Sequence, residues 1–187
     1  MHNLANRGLE TFLRSNYGGE AWADIALHAG IKVDEFATWR SSTDIITGTV
    51  VVSAAKHLKK PPGELLEDIG EWLTQQEQIR RLLRFSGSSF EEFVYSLQDI
   101  SGRINLVVPD LKFSDLHVQE PYPRHFRIMS GRDQRHAMRV LMGALRGMAD
   151  DFGTLAVVTR HGNRIEVDIA VIQHAQEKEF DLVPAGQ

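Results

Sequence analysis

Apolar residues along the first third of the chain recur at steps of three and four. Leu4, Leu9, Phe12 and Leu13 do so with Arg7, Glu10 and Arg14 between them, the pattern of an amphipathic helix over residues 4–17. Asn16-Tyr17-Gly18-Gly19 ends it, and Trp22, Ile25 and Ala26 mark one face of a short second helix over 20–29. Residues 30–42 read as a connector. From Thr43, a capping residue beside Asp44, a helix runs to about Lys59 although Val50-Val51-Val52 is locally strand-like; Pro61-Pro62 stops it, because proline lacks the amide donor and clashes with the preceding turn. Pro62 then opens a further helix through Leu65, Leu66, Ile69, Trp72 and Leu73, and Ile79, Leu82 and Leu83 carry the stripe past a Gln-rich stretch as far as Gly87. Ser88-Ser89-Phe90-Glu91 has the spacing of a capping box, with the serine accepting from the N3 amide and the glutamate reaching back. The helix it starts shows Phe90, Phe93, Val94, Leu97, Ile100 and Ile104 on one face.

After Pro109 the period shortens toward two. Phe113–Gln119 and Arg124–Met129 read as strands separated by Pro121 and Pro123. Residues 133–152 return to helix, with Met138, Leu141, Met142, Leu145, Met148 and Phe152 inward. Residues 155–160 and 164–172 form the best hairpin in the chain: Gly162-Asn163 supplies the turn, and Ile165, Val167, Ile169 and Val171 alternate with polar residues. The fold class is therefore α+β, a helical N-terminal part followed by an antiparallel sheet with a packed helix, and no internal repeat. One domain over 1–182 is expected, with a helical subdomain over 1–60, an α/β subdomain over 61–182 and a flexible tail over 183–187.

Composition narrows the chemistry. The 187 residues are 42% hydrophobic and 25% charged, ordinary for a globular chain. The absence of cysteine removes thiol catalysis, Cys-bound zinc and iron–sulfur clusters, and fits a reducing compartment, the cytoplasm. No apolar run is long enough to span a bilayer. A net charge of −4 argues against general nucleic-acid binding, which needs a clustered positive field.

The familiar catalytic signatures are missing. There is no phosphate-binding GxxxxGK[ST] loop, no GxGxxG after a strand, no HExxH and no GxSxG elbow. The eight histidines are scattered without the i,i+4 pairing of a helical metal site. Glu67-Asp68, Glu91-Glu92 and Asp150-Asp151 are adjacent on helices and point apart, so they read as solvated carboxylates and not as a catalytic dyad. Arg132, Arg135, Arg139 and Arg146 form a basic stretch; Arg135 and Arg139, four apart, repel unless water or an anion lies between them. Ser101 stands out. It falls four after Leu97 and three before Ile104, which puts a hydroxyl in an apolar stripe, where it either bonds the carbonyl one turn back or lines a cavity. A serine nucleophile needs a base and an oxyanion donor set, and neither is visible, so no enzyme is expected.

With these residues in view, the chain resembles the bacterial haem nitric-oxide/oxygen-binding (H-NOX) family, relatives of the regulatory domain of soluble guanylate cyclase. The resemblance runs over nearly the whole chain: Met1-His2-Asn3-Leu4, Asn16-Tyr17-Gly18 with Trp22, Leu65-Leu66-Glu67-Asp68-Ile69-Gly70-Glu71-Trp72 and Phe93-Val94-Tyr95-Ser96-Leu97-Gln98-Asp99-Ile100. It continues through Leu106-Val107-Val108-Pro109-Asp110-Leu111, Ser130-Gly131-Arg132 and Gly143-Ala144-Leu145-Arg146-Gly147-Met148-Ala149. The family's proximal pattern is leucine, any, any, apolar, histidine; here Leu97-Gln98-Asp99-Ile100 is followed by Ser101. Its propionate-gripping pattern, tyrosine, any, serine, any, arginine, reads Ile128-Met129-Ser130-Gly131-Arg132. The usual glycine near the N-terminus is Asn3, and the stretch from Arg132 to Gly147 is slightly longer than is typical, so no distal-pocket residue carries over.

The resemblance implies a pocket lined by Leu97, Ile100, Ile104, Pro109 and Ile128, with Ser130 and Arg132 holding a ligand carboxylate and Ser101 as a non-ligating substitute for the iron ligand. A shielded Arg–carboxylate pair of this kind is worth about 1.5–3 kcal/mol. It implies a standalone sensory domain that binds haem atypically, or another carboxylated apolar ligand, with no separate metal site. Its partner would be a histidine kinase or a cyclic-dinucleotide enzyme on another chain. The alternative is a ligand-free interaction module whose pocket has collapsed, in which Met138, Met142 and Met148 pack inward as core.

Overall fold

In the computed structural model, residues 3–33, 35–36, 44–99, 102, 115–131 and 134–170 are described. Among the described residues, five helices bounded at both ends precede the sheet: α1 (Asn3–His28), α2 (Asp44–His57), α3 (Pro62–Gln75), α4 (Glu77–Arg84) and α5 (Phe90–Ser96). A 3-10 turn, Leu97–Asp99, continues α5. Strands β1 (Leu116–Tyr122) and β2 (His125–Ser130) follow, then α6 (Arg135–Asp151) and the hairpin β3 (Ala156–His161) with β4 (Arg164–Ile169). The sheet is antiparallel throughout, in the order β1-β2-β4-β3. The α+β plan expected from the sequence is the observed one.

Local chemistry explains where the elements begin and break. The two helices expected on either side of Gly18 form one bent element, because Gly18 takes φ 90° and ψ 165°, a conformation open only to glycine. α2 is helical through Val50-Val51-Val52, since Val50, Ala54 and Ala55 bury against the first core and that packing outweighs β-branched propensity. The cap expected at Thr43 lies outside the described residues. The long helix expected from Pro62 to Leu83 breaks at Gln76, which is extended at φ −75° and ψ 119° while its Nε2 donates to the Trp72 carbonyl. Beyond that break no residue of α4 is buried, so the apolar stripe expected through Leu82 stops being a core face.

The capping box is real but lies one residue later than the sequence spacing suggested. The Ser89 hydroxyl accepts from the Glu92 amide, and the Glu92 carboxylate accepts from the Ser88 amide and hydroxyl, each at 2.8 Å. Pro121 does not end β1 as expected. It lies inside the strand, and the β1–β2 register slips between Gln119 and Tyr122, where proline offers no ladder donor.

Two apolar clusters result. The first joins α1, α2 and α3 through Phe12, Trp22, Ile25, Val50 and Leu65. The second lies between α5, α6 and one face of the sheet, through Phe90, Phe93, Leu97, Phe126, Ile128, Leu145 and Val167. α3 and α6 hold the clusters together at unusually close range. A Cβ on Gly70 would overlap the Val140 carbonyl, and one on Gly143 would overlap the Glu67 carbonyl. Glu67 of α3 receives both Arg139 and Arg146 of α6. Within the basic stretch, Arg139 and Arg146 thus meet a carboxylate of this chain and are not simply solvated.

Candidate functional site

The site begins with α5. Its cap fixes the first turn, Phe90, Phe93 and Val94 bury, and the helix then tightens into the 3-10 turn that places Leu97 fully inside the second cluster. Ile100, Ser101, Ile104, Pro109 and Arg132 lie outside the described residues, so Leu97, Ile128 and Ser130 are the expected site residues that can be located.

Ile128 and Ser130 follow from strand alternation. Phe126, Ile128 and Ser130 share the inner face of β2, and Ile128 sits between Val118 of β1 and Ile165 of β4. Leu97 and Ile128 belong to the same apolar cluster. Ser130 is buried at the strand's end, opposite Leu116, and its carbonyl accepts from Asn163 Nδ2 at 3.0 Å. Where the family pattern has a tyrosine hydroxyl, this face carries only the branched alkyl group of Ile128.

A second arrangement escapes sequence reasoning. The Tyr95 hydroxyl donates to the Glu120 carboxylate, the Arg124 amide donates to the same carboxylate at 2.7 Å, and Arg124 pairs with Glu91. The Tyr95 ring stands edge-on to Phe126 at 5.1 Å. This clamp ties the helix that leads toward Ser101 to the β1–β2 turn, where Arg124 takes a left-handed φ of 66°. Hydrogen bonding to Glu120 raises the Tyr95 pKa above its ordinary value, and the donors from Tyr95 and Arg124 hold Glu120 below its own. Spacing within one helix gives no sign of a contact made 25 residues away in the chain.

The paired carboxylates also differ from expectation. They are clamps and not simply a solvated face: Glu67 takes two arginines, Asp68 takes Lys60, Glu91 takes Arg124, and Asp151 takes Arg80 and Arg84. Among the described residues no group of three or more histidine, aspartate or glutamate side chains is placed to hold a metal ion. His28, His57, His117, His136 and His161 are exposed. His125 is buried, but on the face of β2 opposite Ile128; its Nδ1 lies 2.5 Å from Asp168 and its ring stacks on Tyr122.

Residues 3–160 match the family described as Haem-NO-binding. The chain belongs to that family. A soluble guanylate cyclase of Caenorhabditis elegans, gcy-31, is 19% identical over 162 residues, covering 84% of this chain and 23% of that protein, so the chain spans about a quarter of the relative's length. Among solved structures, the Fe(II) unliganded H-NOX protein from K. algicida superposes with a TM-score of 0.76 at 11% identity, covering 93% of this chain and 99% of the other. An H-NOX protein from S. oneidensis in its Fe(II)NO ligation state gives 0.69 at 16% identity, covering 90% and 98%. The fold is thus that of the H-NOX domains. No helix among the described residues is long and apolar enough to cross a membrane.

Haem is the group this family implies, and among the described residues no histidine is placed on the inner face of the sheet to ligate its iron. An iron-ligating imidazole must project from the pocket wall. Ser101 lies outside the described residues, and the buried His125 is on the face of β2 opposite Ile128. A neutral hydroxyl is a far weaker donor to iron than an imidazole nitrogen.

Proposed function

We propose that this H-NOX domain is a cytoplasmic sensor with degenerate iron ligation, whose pocket takes haem without the proximal imidazole or takes another carboxylated apolar molecule. The observation that carries this reading is Ser101 following Leu97-Gln98-Asp99-Ile100 in the sequence, just after a Leu97 that is fully buried in the same apolar cluster as Ile128. Ser130 and Arg132 anchor the carboxylate, with Ile100, Ile104 and Pro109 completing the apolar wall. The chain acts as one domain over 1–182, the tail expected over 183–187 lying outside the described residues, and its output passes to a separate histidine kinase or cyclic-dinucleotide enzyme. The similarity to a protein named as a guanylate cyclase supports a signalling role of this type.

The test is the content of the purified protein. Isolated from haem-supplemented cells, it should carry either a Soret absorber without the five-coordinate imidazole spectrum or a co-purifying apolar acid detected by native mass spectrometry. Ser101→His should create five-coordinate ferrous haem, and Arg132→Ala should weaken whatever is bound by about tenfold or more. An empty protein whose melting temperature is unmoved by added haem or fatty acid overturns the proposal. That result would favour the second reading, a ligand-free interaction module. One observation already agrees with it: Met138, Met142 and Met148 all pack inward in the second cluster.

A further inference from the structure

α4 is a helix without a buried residue. Its attachments are at the margins: Leu83 packs against the second cluster, Arg80 Nε donates to Asp151 at 2.6 Å, and the Arg84 guanidinium lies 4.1 Å from the centre of the Phe152 ring. What it turns outward is chemically specific. Phe85 is 88% exposed and Leu82 45%, beside Arg81, whose side chain is 73% exposed. Glu77, Arg80, Arg81, Arg84 and Phe85 line a shallow concavity. Isolated apolar residues on a surface are ordinary, but an aromatic ring set among arginines is the composition that concentrates binding energy at protein interfaces.

Charge identifies the occupant. Three arginines here face two carboxylates, Glu77 and Asp151, so a positive surplus remains on a chain whose net charge is −4. We propose that α4 and Phe85 dock an acidic, apolar segment of a partner protein, with a carboxylate taken by Arg81 and Arg84 and a neighbouring apolar side chain laid on Phe85. A guanidinium fork matches a carboxylate in two parallel hydrogen bonds. An anionic membrane is the poorer match, because lipid-binding segments carry clusters of about four to eight uncompensated cations. A second copy is poorer still, because a two-fold contact would set arginine against arginine. The surface does not depend on what the pocket holds, so the sensor reading and this one fail separately.

The test uses the whole chain and a short fluorescein-labelled amphipathic peptide of glutamate and leucine, read by anisotropy at low and physiological salt. The peptide should bind in the micromolar range and weaken with salt, and a lysine-for-glutamate version should not bind. Arg81→Glu and Phe85→Ser should each lower affinity about tenfold or more, while Arg7→Glu, an exposed change on α1, should leave it unaltered. Unchanged melting temperatures show that the variants remain folded. Absence of binding, or equal binding by all variants, overturns the proposal. So does association with phosphatidylglycerol vesicles in place of the peptide, or a concentration-dependent dimer that Phe85→Ser abolishes.

Discussion

Glu92 shows how much one side chain can organise. Its carboxylate accepts from the Ser88 amide and hydroxyl while its own amide donates to Ser89, so the entry to α5 is fixed from both sides. The two bonds from Ser88 hold its pKa below the ordinary glutamate value. A carboxylate whose folded pKa is depressed contributes stability that is fully present above its unfolded pKa and is lost as pH falls through the folded one. The urea midpoint of Glu92→Gln should therefore lie below wild type at neutral pH, and the gap should close as the solution is acidified through the carboxylate range. A gap that persists in acid would mean that packing and not charge sets the effect. The box was legible in the sequence as a motif but not in its register, because adjacent serines and adjacent glutamates offer two overlapping frames and only the backbone selects one.

Among the elements, the α3–α6 contact has the least tolerance. Gly70 and Gly143 let each backbone approach the other within the space a methyl group would need. Gly143→Ala should push the helices apart and cost about 1–3 kcal/mol, read from denaturant midpoints, whereas Gly8→Ala, which meets open space, should not destabilise. Periodicity foretold both helices and the inward methionines of α6. It did not foretell the break at Gln76, since an apolar stripe continues in sequence whether or not a core continues beneath it. Pro121 misled for a related reason: the rule that proline stops a strand yields at an edge, where one missing donor is tolerated.

At the scale of the whole molecule, the two clusters are separate collections of side chains joined through α3 and α6. Glu67 is only 12% exposed and engages two arginines across the joint, so the clusters are expected to unfold together. Tryptophan fluorescence, which reports the first cluster through Trp22 and Trp72, should lose its native signal at the same urea concentration as the Ile128 and Val167 methyl resonances of the second. Two separated midpoints would refute that coupling. The architecture was readable because period three-to-four gives way to period two after Pro109 and again after the 133–152 helix. The site was readable only in part. Resemblance pointed to Leu97, Ile128 and Ser130, and alternation explains why Ile128 and Ser130 share a face of β2, but the Tyr95–Glu120–Arg124 clamp depends on the folded chain returning upon itself.

The slipped ladder at Pro121 has an effect beyond this chain. β1 is an outer strand, and an outer strand normally presents an evenly spaced row of amides that another polypeptide can copy. Here the strand carries a proline and a change of phase within its length. A neighbouring molecule cannot zip onto it over its length, so this flank of the sheet gives a fibril no starting template.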